Sequence, residues 1–427
     1  MAGFFGGGAA APFGAGFGGG AAGVGAPAGG GFGGGGFGLP AAAPAVDPAA
    51  QDVEARPPAG NAPDSFSSIA WAPDGRHLSC AGWDQRVHVF SVEADASNRC
   101  TGLKHVLSTD QLPAPVLDHT WNQESNAVYI GTCGGEVRLW DLATRAQPAV
   151  HGKHQNAVRC VHRATVGATP CIVTGGWDNQ LNYWDPRQAR ALANVKFDER
   201  VYAMDENRGQ MVVALGGNQT RSVLIFDLAR SPAQPIWQMT SPLKFQTRAV
   251  RIFNDLSPQG KPQSFGISSI EGRCAIRRLD KAEDEAQDVV AGKPKYSFTF
   301  KCHRDEAEGN PQKVIYAVNA LDCYPVTQAR PGYGAVFATG GSDGVFTFWD
   351  KDKRQRLKEF SLMQGARNPK TPVVDVKFAP NGLFVAYAYS YDWSRGHQYN
   401  DQAAMPPQVF VHSIVEDGEL KRKDAAR

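Results

Sequence analysis

The stretch TGGWDNQLNYWD, residues 174–185, contains two Trp-Asp pairs, Trp177-Asp178 and Trp184-Asp185. A carboxylate beside an aromatic ring suits a binding site, but it also suits a structural unit. Related text elsewhere in the chain separates the two readings. AGWDQRVHVFSV begins at Ala81, GTCGGEVRLWDL at Gly131, LGGNQTRSVLIFDL at Leu215, SSIEGRCAIRRLD at Ser268 and TGGSDGVFTFWDK at Thr339. A worn seventh copy, AYSYDWSRG from Ala388, is completed after an insertion by VFVHSI from Val409. A catalytic motif occurs once, whereas a unit recurring every ~40–70 residues is architecture.

Within one copy, VFATGGSDGVFTFWD at 336–350 reads as two strands around the turn Ser342-Asp343-Gly344. Asp-Gly tolerates the positive φ of a tight hairpin turn. Val345, Thr347 and Trp349 alternate with Phe346 and Phe348, so both faces of the second strand are apolar. A strand with one wet face would alternate apolar and polar residues. A further strand precedes each copy, as in SSIAWAPDG from Ser67 and VVDVKFAPNG from Val373. Seven units of three or four short strands, without a long helix, predict an all-β fold, a seven-bladed β-propeller. This is the WD-repeat pattern, whose structural hydrogen-bond set runs His, Ser/Thr, Asp, Trp. His154, Thr174, Asp178 and Trp184 match it in the third repeat, and Thr339, Asp343 and Trp349 retain most of it in the sixth.

Composition bounds the rest. Residues 1–63 are rich in Gly, Ala, Pro and Phe, with no charged residue before Asp47. Such a segment buries too little apolar surface to offset chain entropy, so a disordered tail is expected, with the propeller spanning 64–427. The tail carries Phe-Gly pairs at Phe5, Phe13, Phe17, Phe32 and Phe37, which suit weak multivalent contacts. No run of 18 apolar residues exists, so no membrane span is expected. The eight cysteines are scattered without a Cys-x-x-Cys pair, which suits reduced, buried thiols. No P-loop, nucleophile elbow or metal-spaced Cys/His set is present, so no catalytic residue, metal or cofactor is assigned. His151 and His154 in HGKH read as repeat and loop residues, and His303 in CHR as a loop residue.

Four features exceed what a propeller scaffold requires. One is the tail. Another is a pair of basic-aromatic runs, KPKYSFTFKCHR from Lys293 and FWDKDKRQRLK from Phe348. Cations for phosphates beside rings for bases suit single-stranded RNA, and they equally suit an acidic peptide. The third is Arg248 in KFQTRAV with Glu271 and Arg273 in SSIEGR, which either pair internally or hold a docked peptide. The last is SYDWSRGH, 390–397, an aromatic and charged insertion in the last blade.

With the tail, the ordered elements SSIEGR, FTFKCHR, IYAVNAL, GGSDGVFTFWDKD and YSYDWSRGH resemble the mRNA export factor family of nuclear-pore WD-repeat proteins (Gle/Rae type). The likeness runs from about Asp64 to the C-terminus. It implies a non-enzymatic adaptor in mRNA export, nuclear and at the pore complex, shuttling to the cytoplasm. The implied partners are a Phe-Gly nucleoporin with a Gle-binding-sequence segment, and messenger ribonucleoprotein or single-stranded RNA. Carried over by position, Trp83, Arg248, Glu271 and Arg273 would meet the nucleoporin peptide. Phe300, Lys301, Trp349, Lys351 and Arg354 would form an RNA or acidic-peptide groove. The spindle-checkpoint proteins of the budding-uninhibited class share the EGR, FKCHR and GGSDG elements. The alternative is therefore a checkpoint adaptor binding a kinase segment of the same peptide class. The loops at 281–295 and from Thr327 depart from the family pattern.

Overall fold

The computed structural model describes residues 52–58, 64–217, 221–288, 293–294, 296–305, 313–328, 330–361, 371–414 and 419–420. The expected disordered segment up to residue 51 lies outside the described residues. Seven four-stranded antiparallel sheets form the blades. Their inner strands are Phe66–Trp71, Val116–Trp121, Val158–Val166, Val201–Asn207, Thr247–Ile252, Val318–Cys323 and Val373–Phe378. Each packs against the next and the seventh against the first, closing a ring. The expected seven-bladed WD-repeat propeller is therefore the fold.

Burial explains why the strands read as apolar on both faces. Val345–Asp350 and Phe384–Tyr389 are buried along nearly their whole length, because each blade is covered on both sides by its neighbours. Seven apolar clusters result, one at each blade-to-blade seam. The turns between second and third strands need a left-handed residue. Gln85, Asn179 and Gly344 supply it at φ 64°, 66° and 77°, where glycine and asparagine cost least.

Every inner strand carries a register shift near its start, at Phe66/Ser68, Val116/Asp118, Val158/Cys160, Val201/Ala203, Thr247/Val250, Val318/Ala320 and Val373/Asp375. These bulges put Ser67, Arg159, Tyr202, Arg248, Asn319 and Val374 around one mouth of the axial cavity. Deeper in, carboxylates tie neighbouring blades together. Asp118 accepts the Val161 N–H at 2.8 Å, Asp205 that of Ile252 at 2.7 Å, Asp322 that of Phe378 at 2.7 Å and Asp375 that of Ile69 at 3.0 Å. Arg251 bridges Asp205 at 3.1 Å and Asp322 at 3.0 Å.

The ring closes through an element that the boundary at residue 64 had left in the tail. Val53–Ala55 pairs antiparallel with Val409–Val411, making the outer strand of the seventh blade. The propeller thus starts by residue 52. Three residues carry too little local pattern to announce a strand; the exposed edge of Gln408–Ser413 creates it. The insertion after Leu279 is also anchored. Asp280 caps the short helix Lys281–Glu285, and its buried Asp284 takes Arg277 and the Arg278 N–H.

Candidate functional site

In the third blade His154 Nδ1 lies 3.0 Å from Asp178, and its Nε2 lies 2.7 Å from Thr174 Oγ1. Trp184 Nε1 donates to the same hydroxyl at 2.7 Å. The set assigned from sequence forms one buried chain that joins the second-to-third-strand turn to the strands on either side. The sixth blade repeats it. His303 Nδ1 is 2.9 Å from Asp343, its Nε2 is 2.8 Å from Thr339 Oγ1, and Trp349 Nε1 donates to Thr339 at 2.9 Å. His303 is therefore a buried core residue and corrects its reading as a loop histidine. Burial disfavours its imidazolium, but the Asp343 charge and hydrogen bond outweigh that and raise its pKa to about 9. His151 is likewise buried, with Nε2 2.9 Å from the Asp185 carbonyl.

Strands alternate in direction within every blade, so all second-to-third-strand turns share a face with the starts of the inner strands. Trp83, Glu271, Arg273 and Arg248 therefore lie at one face, Arg248 at the axial mouth and the others on the surrounding rim. Arg248 Nη2 donates to Asn319 Oδ1 at 3.0 Å, and its buried Nε has no partner among the described residues. Burial and the adjacent Arg159 charge lower its pKa, with Asp392 opposing. Glu271 and Arg273 approach to 3.5 Å, and Glu271 also accepts the Lys244 N–H at 3.1 Å. This pair is half-satisfied internally, which fits the ion-pair reading, yet Arg273 keeps 34% of its side chain exposed. Around the same turn Phe245 and Ile270 stand exposed.

The rim holds a residue that was not assigned from sequence. Trp393, inside SYDWSRGH, packs on Trp83 with ring centroids 4.7 Å apart. Its backbone is left-handed at φ 59° and its indole N–H is unpaired among the described residues. The insertion had no scaffold role and so marked the place; the pairing with a residue 310 positions away was invisible. On the same rim, Trp177 packs on Tyr202 at 6.3 Å.

The two basic-aromatic runs do meet, because the outer strand of the fifth blade lies beside the sixth. The Arg354 guanidinium sits 4.5 Å over the Phe298 ring, and the Arg278 guanidinium 4.9 Å over Tyr296. The groove differs from the expected one in three residues. Phe300 and Trp349 are 2% and 5% exposed with centroids 5.1 Å apart, inside the seam between these blades. Their rings offer no free face to a base. Lys351 is 6% exposed and held by Asp255 at 2.9 Å and Asp352 at 2.7 Å. Lys301 and Arg354 are exposed, and Tyr296 is 41% exposed. Lys301 ends the outer strand Phe298–Lys301 at the rim face, whereas Arg354 lies in the turn after Val345–Asp350 at the opposite one.

Seven of the eight cysteines are buried and all are free thiols. Among the described residues no His, Cys, Asp and Glu cluster has metal-binding geometry, and no helix is long and apolar enough to cross a membrane.

This architecture defines a WD-repeat propeller whose blades are held by buried polar chains and whose open surface is a rim of aromatic and charged residues. The model of the WD domain, G-beta repeat, matches residues 60–91 and 147–185. The chain is 35% identical over 373 residues to the poly(A)+ RNA export protein of Schizosaccharomyces pombe, covering 87% of this chain and 92% of that protein. It is 35% identical over 384 residues to the WD40 repeat protein poxJ of Penicillium oxalicum, covering 89% and 98%. It is 34% identical over 359 residues to the mRNA export factor GLE2 of Chaetomium thermophilum, covering 83% and 88%. The chain belongs to the mRNA export factor family of WD-repeat proteins, the Rae1/Gle2 type, and is a non-enzymatic scaffold.

Proposed function

We propose that this chain works in nuclear mRNA export as an adaptor at the pore complex, passing between nucleus and cytoplasm. Its rim face takes the acidic Gle-binding-sequence segment of a Phe-Gly nucleoporin. Arg248 and Arg273 meet carboxylates, Glu271 sets the Arg273 guanidinium, and Trp83 with Trp393 supplies an apolar anchor. The observation that carries this reading is the meeting of the Trp83–Trp393 pair, the partly unsatisfied Arg248 and the exposed Arg273 on one face. Relatives named for RNA export along most of the chain support the setting. RNA or an acidic peptide contacts Lys301, Arg354, Tyr296 and Phe298 at the edge between the fifth and sixth blades, with Phe300 and Trp349 as its buried floor. The Phe-Gly segment before residue 52 adds weak contacts to other Phe-Gly chains.

Calorimetry of the full chain with a Gle-binding-sequence peptide tests the docking. Arg248→Glu and Arg273→Glu should each weaken binding at least tenfold while leaving the thermal midpoint unchanged within a few degrees. No binding by the unaltered chain, or binding by both variants as tight as that of the unaltered chain, defeats the assignment.

A further inference from the structure

The two ends of the described fold meet at one histidine. His412, on the strand Gln408–Ser413, has Nδ1 2.6 Å from Asp52 Oδ1 and Nε2 3.1 Å from Glu419 Oε2. Asp52 immediately precedes the closing strand Val53–Ala55, and Glu419 lies beyond the last strand. A neutral imidazole has one nitrogen with a lone pair, which here would face a carboxylate oxygen. Only the doubly protonated ring donates to both partners. The side chains of His412 and Asp52 are each 3% exposed, so solvent does little to screen the charges.

The surroundings complete the balance. Lys358, on Gln355–Ser361 of the sixth blade, pairs with Glu419 at 2.6 Å. Tyr387, on Phe384–Tyr389, donates to Asp52. The Phe360 ring lies edge-on to the imidazole at 4.9 Å. Glu54 on the closing strand is turned to Gln408 at 3.0 Å and to Arg56. Two carboxylates, one ammonium and one imidazolium sum to zero; a neutral imidazole leaves a buried negative charge. Burial works against the imidazolium, yet Asp52 and Glu419 raise its pKa to about 9.

We propose that His412 is a charge latch that holds both ends of the folded chain, and that its release frees the closing strand while the ring stays folded. The closing strand has three residues and pairs with one neighbour, so backbone pairing alone anchors it weakly. Release leaves the backbone edge of Gln408–Ser413 open, a place where an extended segment can add.

Two measurements on the full chain test this. Histidine-selective 15N NMR at pH 7.5 should show His412 protonated at both ring nitrogens; a neutral tautomer overturns the latch. Hydrogen exchange should then rise at least tenfold at 53–55 in His412→Gln and in the milder Asp52→Asn, with the inner strands unchanged. His412→Gln combined with Asp52→Asn should loosen less than His412→Gln alone, since no stranded carboxylate remains. Unchanged exchange at 53–55 in both single variants, or loosening of the whole ring together, overturns the proposal.

Discussion

Replacing Asp343 by Asn in the sixth blade should destabilise the propeller in a way that depends on pH. Asp343 takes His303 Nδ1 through both carboxylate oxygens, at 2.9 and 3.0 Å, and also the Val345 N–H at 3.2 Å. Asn keeps the shape and one acceptor, so a neutral histidine still fits, but the attraction to an imidazolium goes. The pKa of His303 rises from 6.5 to about 9 in the fold. At about 1.4 kcal/mol per pH unit, that separation corresponds to about 3 kcal/mol. Because the folded value is the higher one, this stabilisation is complete below pH 6.5 and is lost as pH climbs through about 9. The variant should thus lie about 3 kcal/mol below the unaltered chain at pH 6, a midpoint shift of roughly 4 °C for a fold of this size. By pH 10 the gap should shrink to less than about 1 kcal/mol. His412 titrates in the same range in both proteins and cancels in the difference. Thermal unfolding at pH 6, 7.5 and 10 measures it. A gap that stays constant or widens with pH would refute the assignment of an imidazolium to His303.

Arg251→Met should cost about 3–5 kcal/mol in urea unfolding, because Asp205 and Asp322 then share the axis without their common cation. Adding Asp322→Asn should recover part of that loss, and a loss below about 1 kcal/mol would mean that other axial charges suffice. Gly82→Ala places a Cβ 2.3 Å from the Ser65 carbonyl oxygen and should cost about 1–3 kcal/mol, whereas Gly332→Ala meets nothing within 4 Å and should be neutral. Equal midpoints for the two alanine variants would contradict the close approach of these backbones. Trp393→Gly removes the left-handed strain of roughly 1 kcal/mol but forfeits the Trp83 contact, so stability should change little while the rim loses peptide affinity. Undiminished calorimetric binding would show that the ring pair is not the anchor.

The blade pattern was legible because its signals are short-range. Asp178 and Trp184 lie four and ten residues after Thr174, and their turn and strand spacing repeats along the chain. The third-blade set closes as its spacing implied. His303 escaped because a long insertion separates it from Thr339 and Asp343. Phe300 and Trp349 were misplaced because strands apolar on both faces give no sign of which face meets solvent. Lys351 looked like part of a free basic run, and only the fold reveals the carboxylate of Asp255, about a hundred residues earlier, beneath it.

The sequence by itself determined the repeat, its strand content and the residues that hold each blade, because those depend on neighbours along the chain. The tertiary structure decided how the ring shuts, which cations stay exposed and which aromatics pair. Trp83 meets Trp393 and Ile69 meets Asp375 only because the seventh blade lies beside the first, and Asp52 meets His412 only because Val53–Ala55 supplies the outer strand of that seventh blade. Ring closure brings the first and last described elements into contact, and no local pattern encodes a contact between residues more than three hundred positions apart.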